Sequence, residues 1–142
     1  MQTSFTENQL KDKDNKTSET IIRKCVHCGM CNATCPTYGI NGEELEGPRG
    51  RIYLIKDMLE NKKPATKQIA KHIDSCLSCY SWMTTCPSGV NYMHLIDHGR
   101  NYVEETYKRP FFDRLFRNIL SFVLPRPKVF LLMALSSKII KP

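Results

Sequence analysis

The sequence predicts an all-α fold, and three observations lead to that prediction. Apolar residues recur at helical spacing in three segments, 49–60, 65–74 and 93–107. No segment shows the alternation of apolar and polar residues that is typical of strands. The seven cysteines are grouped in two short runs, which indicates two ligand-bearing loops between helices. At 142 residues, the chain has the length of one small domain.

Residues 1–20 are expected to form a mostly disordered polar arm. They are rich in Lys, Asp, Asn and Thr and show no apolar periodicity. They also lack the apolar central run of a secretory signal, so we expect a cytoplasmic protein. We expect an ordered domain over residues 21–107. It begins at Ile21, shortly before the first cysteine run.

The segment between the two cysteine runs is predicted to be a loop followed by two helices. Residues 37–50, TYGINGEELEGPRG, contain four glycines and one proline, which favours a loop. Helices are predicted over residues 49–60 and 65–74, separated by Pro64, and a third over residues 93–107. Their inward-facing residues would be Ile52, Ile55, Leu59, Ile69, Ala70, Ile73, Leu95, Ile96, Tyr102 and Val103.

The cysteine runs are an internal repeat. The first run is Cys25-x2-Cys28-x2-Cys31-x3-Cys35-Pro36. The second is Cys76-x2-Cys79-x2-Trp82-x3-Cys86-Pro87. The two agree at every ligand position except one, where Trp82 stands in place of a cysteine.

This spacing is typical of chains that hold two cubane iron–sulfur clusters. Two-residue gaps wrap the backbone around one cluster, while the fourth cysteine points away to the other cluster. Zinc is the alternative, but structural zinc sites usually pair two separated Cys-x2–4-Cys motifs. A disulfide framework is disfavoured because the number of cysteines is odd and no secretory signal is seen.

If the fourth cysteine of each run binds the cluster held by the other run, the sequence predicts two sites with different ligand sets. The first site is a complete [4Fe–4S] ligand set of Cys25, Cys28, Cys31 and Cys86. The second site has Cys35, Cys76 and Cys79, with Trp82 at the fourth position. An indole has no lone pair for a metal, so this site suits a [3Fe–4S] cluster or a [4Fe–4S] cluster with one labile iron. Two other interpretations stay open: an absent second cluster, or a single-base difference in the sequence.

The 41 residues from Cys35 to Cys76 exceed the gap of small bacterial ferredoxins. A long helical insert resembles the α-helical ferredoxin domain of respiratory flavoenzymes, such as the succinate dehydrogenase iron–sulfur protein and heterodisulfide reductase. The segments KCVHCGMCNATCPTYGINGEELEGPRGRIYLIKDMLE and HIDSCLSCYSWMTTCPSGVNYMHLIDHGR resemble more closely the iron–sulfur subunit of bacterial glycolate oxidase. MQTSF and the tail RPFFDRLFRNILSFVLPRPKVF are similar to that family too.

The resemblance implies electron transfer. In this family, flavoprotein partner subunits oxidise glycolate, and the iron–sulfur subunit passes the electrons towards the respiratory chain through quinone. The substrate site would then lie on the partners, and no Gly-rich dinucleotide motif occurs in this chain. The chain departs from the family pattern in two ways. Trp82 stands where the family has a cysteine, and the paired Cys-Cys-Gly motifs of the family do not occur in this sequence. We therefore expect this chain to correspond to the amino-terminal part of the family's iron–sulfur subunit.

Two alternatives to this function remain at the level of sequence. One is the same electron transfer for another 2-hydroxyacid or glycerol-3-phosphate dehydrogenase. The other is a truncated, non-functional remnant with one dead cluster site.

Six side chains in or near the motifs are candidates for minor roles. His27 could hydrogen-bond a cluster sulfur or simply face solvent. Arg49 and Arg51 could offset cluster charge, meet an acidic partner, or form salt bridges at a helix start. His94 and His98 have the spacing of a metal pair, but an ordinary helix face is the better interpretation. Trp82 could exclude water from its cluster or fill core space.

The tail, residues 108–142, contains all of the excess positive charge. It has eight basic residues and one acid, whereas residues 1–107 have 13 of each. Residues 112–123 show amphipathic helical periodicity. We expect their apolar face to pack on the cysteine-rich carboxy-terminal region of the family or on a flavoprotein partner. An anionic membrane surface is the alternative. The uninterrupted apolar residues 129–135 are too few to span a bilayer. Nucleic-acid binding is not expected, because the basic residues do not alternate with exposed aromatics.

Overall fold

The structure is a computed structural model that describes residues 1–139, and this range contains no strand. The helices are α1 Lys13–Lys24, α2 Pro36–Asn41, α3 Pro48–Asn61, α4 Lys67–Asp74, α5 Tyr92–Thr106, α6 Phe111–Val123 and α7 Pro127–Ile139. Short 3₁₀ helices lie at Gln9–Lys11, Met30–Thr34, Glu44–Glu46 and Met83–Thr85. The all-α prediction is confirmed.

The three helices predicted from periodicity are α3, α4 and α5. Helix α3 begins at Pro48, whose fixed φ and missing N–H suit the first helical position. Helix α4 begins after Thr66, whose hydroxyl accepts a hydrogen bond of 3.2 Å from the backbone N–H of Ile69. Gly50, in the first turn of α3, approaches the Glu44 carbonyl so closely that a Cβ would lie 2.2 Å from its oxygen. This close contact fixes the start of α3 against the preceding turn.

The structure differs from the expected disordered arm, because residues 13–24 form α1. The Asp12 side chain caps this helix by accepting a hydrogen bond from the Asn15 backbone N–H at 2.8 Å. Gln9 is buried, and its amide donates to the carbonyl oxygens of Leu59 and Glu60, each at 2.9 Å. These attachments are polar, so a search for apolar periodicity does not find them.

The predicted loop of residues 37–50 is also partly helical. Helix α2 ends at Asn41, where Gly42 takes a left-handed conformation with φ of 65°. The 3₁₀ turn Glu44–Glu46 follows. With six residues, α2 is too short to show a helical period in the sequence.

The chain divides into two compact units, Met1–Tyr107 and Lys108–Pro142. The core of the first unit is formed mainly by apolar residues of α1, α3, α4 and α5. Its most deeply buried members are Ile22, Ile52, Ile55, Met58, Ile73, Leu95, Ile96 and Val103. Cys25 and Trp82 belong to the same core, so the cysteine loops are anchored in the hydrophobic interior.

The second unit consists of α6 and α7, and most of their apolar side chains are exposed. On and next to α6 these are Phe111, Phe112, Leu115, Phe116, Ile119, Leu120, Phe122 and Leu124. Among the described residues, no single helix is long and apolar enough to cross a bilayer. Helix α6 and residues 127–135 pass that test only as a pair, bent by 113°. Ile140, Lys141 and Pro142 of the tail lie outside the described residues.

Candidate metal centre

The two cysteine runs follow the same backbone path. The second and fourth residues after the first cysteine have positive φ in both runs, 60° and 85° at His27 and Gly29, and 51° and 52° at Ser78 and Tyr80. Left-handed backbone costs a non-glycine residue about 1–3 kcal/mol and persists only where its surroundings hold it. The repeat seen in the sequence therefore extends to an unusual backbone conformation.

Four thiols line one pocket, which we call the first site. Cys25, Cys28 and Cys31 come from the first run, and Cys86 comes from the second run. Cys25 is buried and Cys28 is exposed, so the site reaches from the core to the surface. Its other walls include Ile52, Trp82, Pro87 and Val90.

Three thiols line a second pocket, which we call the second site. These are Cys35 from the first run, with Cys76 and Cys79 from the second. Trp82 lines this pocket as well as the first. The structure thus brings together the same two crossed thiol sets that the spacing predicts, with the indole between them. All seven cysteines are free thiols.

Trp82 is a packed core residue. Its side chain is buried, and its ring meets the Tyr92 ring edge-on, with centroids 4.9 Å apart. Because the indole nitrogen only donates hydrogen bonds, the second site offers three thiols and no fourth ligand at this position. Of the two roles expected for Trp82, filling core space is the one that the structure shows.

The electrostatic setting of the thiols differs between the sites. At the first site, burial and the neighbouring Cys25 raise the pKa of Cys31 to about 11. At the second site, hydrogen bonds from Ser81 lower the pKa of Cys79. Metal binding requires thiolates, so iron has to displace protons that Cys31 holds more tightly than an ordinary thiol.

Each thiol of the second site lies near a side-chain hydroxyl. The distance from sulfur to hydroxyl oxygen is 3.2 Å for Cys35 and Thr37 and 3.4 Å for Cys79 and Ser81. The Tyr92 hydroxyl donates to the Cys76 sulfur at 3.7 Å. Sequence reasoning missed these hydroxyls, although a Ser or Thr two residues after a ligand cysteine, at positions 37 and 81, was a usable signal.

A buried polar network centred on Arg51 joins the second site to three helices. The guanidinium is 1% exposed and donates to the Glu46 carboxylate at 2.8 Å and to the His72 carbonyl at 2.7 Å. It also donates to Thr37 and Ser75 at 3.1 and 3.0 Å. Arg51 therefore cannot meet a partner protein, and the salt bridge at the helix start is the interpretation that holds.

Arg49 repeats this arrangement at the first site. It lines the pocket and pairs with the Glu44 carboxylate, with one bond of 2.9 Å. Its side chain is 31% exposed. Each pocket thus has one arginine that is paired with a glutamate five residues earlier in the chain.

The three histidines singled out from the sequence lie in different surroundings. His27 lines the first pocket, and the buried Nε2 atom of His94 has no hydrogen-bond partner among the described residues. His27 is exposed, and its ring centroid lies 6.4 Å from that of Tyr53. Burial and the positive charge of Arg49 lower the pKa of His27. The Nδ1 atom of His98 lies 2.6 Å from the Ser18 hydroxyl on α1. The His94 and His98 rings are 6.3 Å apart, and His98 joins two helices.

The donor set of the first site fits an iron–sulfur cluster. Four soft thiolates converge on it from two loops, whereas structural zinc sites pair separate two-cysteine motifs. The profile of the family described as "4Fe-4S dicluster domain" matches residues 21–90. This chain contains a 4Fe-4S dicluster domain. The matched residues include all seven cysteines of the two pockets.

Similarity to curated proteins extends beyond the dicluster domain. The chain is 47% identical over all of its 142 residues to the glycolate oxidase iron–sulfur subunit of Escherichia coli (strain K12), of which it covers 35%. It is 31% identical over 117 residues, 79% of its length, to the probable glycolate oxidase iron–sulfur subunit of Bacillus subtilis (strain 168), of which it covers 26%. The resemblance predicted from the sequence is confirmed.

A weaker similarity reaches the succinate dehydrogenase family. The mitochondrial succinate dehydrogenase iron–sulfur subunit of Candida glabrata is 27% identical over 88 residues, which are 58% of this chain and 35% of that protein. No solved structure gives a significant match. The chain thus spans about a third of the length of the curated relatives it matches. The dicluster domain and these relatives support a 4Fe-4S cluster as its cofactor.

Proposed function

We propose that this chain is the electron-transfer part of a glycolate oxidase iron–sulfur subunit, which passes electrons from glycolate oxidation towards the respiratory chain. The observation that supports this most is the first site, where four thiols from two distant loops line one pocket. Substrate oxidation would take place on flavoprotein partner subunits. The clusters, when bound, accept and release single electrons.

The residues of this chain hold and insulate the electron carriers. The thiolates bind iron, and the left-handed residues of both loops direct them inward. Trp82 forms a wall shared by the two pockets, so an electron has a short path between the sites. The paired arginines, Arg49 and Arg51, place a cation beside each negatively charged cluster.

Glycolate-dependent reduction tests the proposed function. The chain is loaded with iron and sulfide under anaerobic conditions and mixed with glycolate oxidase flavoprotein subunits and glycolate. We expect the visible absorbance of the clusters to bleach. In parallel, the chain is mixed with the flavoprotein of a lactate or glycerol-3-phosphate dehydrogenase and its own substrate, and we expect slower reduction. A chain that dithionite reduces but the glycolate oxidase subunits with glycolate do not would overturn the glycolate assignment. Faster reduction by one of the other two flavoproteins would identify the alternative dehydrogenase.

We also propose that the exposed apolar face of α6 packs on a protein surface of the oxidase complex in the cytoplasm. Asp113 is the single acid among eight basic residues of this unit, so the rival surface is the anionic inner face of the membrane. The curated relatives are about three times longer than the matched region, which supplies further protein for α6 to contact.

Placing a charge on that face distinguishes the two surfaces. Phe116→Asp is expected to weaken co-purification with the flavoprotein subunits at least tenfold, because Phe116 is exposed on α6. Asn118→Asp adds the same charge on the polar side and should change little. Phosphatidylglycerol vesicles provide the opposing test. If the chain co-sediments with the vesicles and Phe116→Asp abolishes this binding, α6 lies on a membrane surface instead.

A further inference from the structure

The two thiol sites differ in the hydrogen-bond donors around them. Every thiol of the second site has a hydroxyl within 3.7 Å, from Thr37, Tyr92 or Ser81. In the described part of the chain, no side-chain hydroxyl bonds a thiol of the first site. There the one side-chain contact is from Cys31 to the Asn32 amide oxygen, which accepts rather than donates.

Tyr92 is the least ambiguous of the three donors. Its side chain is buried in the core, and its hydroxyl donates to the Cys76 sulfur. The Thr37 hydroxyl also donates to the Glu46 carbonyl at 2.7 Å, and the Ser81 hydroxyl to the Thr34 carbonyl at 2.9 Å. Each hydroxyl has one proton, so Thr37 and Ser81 divide theirs between two acceptors, whereas that of Tyr92 goes to sulfur.

Formal charges do not account for the difference between the sites. Each pocket is lined by one arginine paired with one glutamate, Arg49 with Glu44 and Arg51 with Glu46. These pairs are equal in net charge, so the sites differ in their number of thiols and in their hydroxyl donors.

Hydrogen bonds to sulfur favour the more negative state of a cluster. Reduction adds one electron, and a donor aimed at a ligand sulfur stabilises that added charge. Burial without donors has the opposite effect, because it disfavours charge. Backbone donors reach thiols of both sites, but side-chain hydroxyls bond thiols only at the second. This difference in hydroxyl donors separates the two reduction potentials.

We propose that the second site has the higher reduction potential of the two, and that the Tyr92 hydroxyl is the main group that raises it. Electrons then collect at the second site: one electron leaves the first site, which is oxidised, and enters the second, which is reduced, with no bond broken. The external electron donor is the reduced flavin of the partner subunit, so this inference rests on the proposed function.

A redox titration of the full 142-residue chain, loaded with iron and sulfide, tests the proposal. EPR spectra are recorded at a series of potentials set with dithionite and mediators. A Cys28→Ala variant assigns the signals, because it removes one ligand of the first site only. Tyr92→Phe deletes the hydroxyl and keeps the ring, and Ser81→Ala deletes an exposed hydroxyl at little risk to folding. Tyr102→Phe, on the same helix and outside both pockets, is the matched control.

We expect the second site to be reduced first in the unchanged protein. Tyr92→Phe should lower its midpoint potential by the equivalent of about a tenfold change in equilibrium constant, about 59 mV for one electron. Ser81→Ala should give a smaller shift in the same direction, and Tyr102→Phe none, with the first site unaffected throughout.

Three results would overturn the proposal. The first site could be reduced at the higher potential, the midpoint potential of the second site could stay unchanged in both Tyr92→Phe and Ser81→Ala, or the second site could hold no cluster. None of these depends on glycolate. Failure of glycolate to reduce the chain would remove the proposed function while leaving the measured order of potentials intact.

Discussion

Replacing Arg51 with leucine should destabilise the first unit by about 3–5 kcal/mol, the cost of removing one partner from a buried ion pair. The reason is that Glu46, 2% exposed, would lose the guanidinium and keep only His72 and Ser75 as hydrogen-bond partners in the core. Leucine would also leave the His72 carbonyl without the donor that now lies 2.7 Å away. Urea unfolding of the anaerobic protein, followed by circular dichroism, measures this free energy.

Arg23→Leu is the matched control for this experiment. Arg23 also pairs with a glutamate, Glu19, but its side chain is 61% exposed. Exposed pairs of this kind contribute at most about 1 kcal/mol, so the control should unfold close to the unchanged protein. Equal losses of unfolding free energy in the two variants would show that burial does not determine how much the Arg51 network stabilises the fold.

Trp82→Cys should convert the second site into a four-thiol site. Position 82 corresponds to Cys31 in the repeat, and its side chain already lines the second pocket. We expect the unchanged protein to hold three irons there, and the variant to gain about one iron per chain. Iron and sulfide analysis gives the count. EPR should show that the oxidised-state signal of a [3Fe–4S] cluster is lost.

Trp82→Ala separates the effect of the new thiol from that of the lost indole. Both changes remove a buried ring in contact with Tyr92, which costs about 3–5 kcal/mol for Trp→Ala. Only the cysteine variant should gain iron. An iron content that is unchanged in Trp82→Cys would mean that the second site has diverged at more than this one residue.

Spacing along the chain was enough to predict the metal chemistry. Gaps of two or three residues between cysteines restrict which thiols can meet around one cluster. The two pockets contain the sets that this rule assigns. The three long helices were predictable for a similar reason. Their apolar residues repeat at helical spacing, because each helix buries one face.

Elements held by polar contacts were not predictable. Helix α1 buries Ser18, Ile21 and Ile22, a face too small and too polar to produce a period in the sequence. Arg51 and Glu46 look like surface charges in the sequence, yet both are buried, because four hydrogen-bond partners converge on the guanidinium. Convergence of groups that are distant in sequence is a property of packing.

The sequence by itself determined the kind of centre, the two ligand sets and the missing ligand at Trp82, since these follow from which residue types stand at which spacing. Only the tertiary structure decided that Trp82 is a wall between both pockets and that Tyr92, 16 residues from Cys76, donates to its sulfur. Hydrogen bonds act over about 3 Å in space. Their partners are chosen by how α5 packs beside the second loop, and no local pattern records that choice.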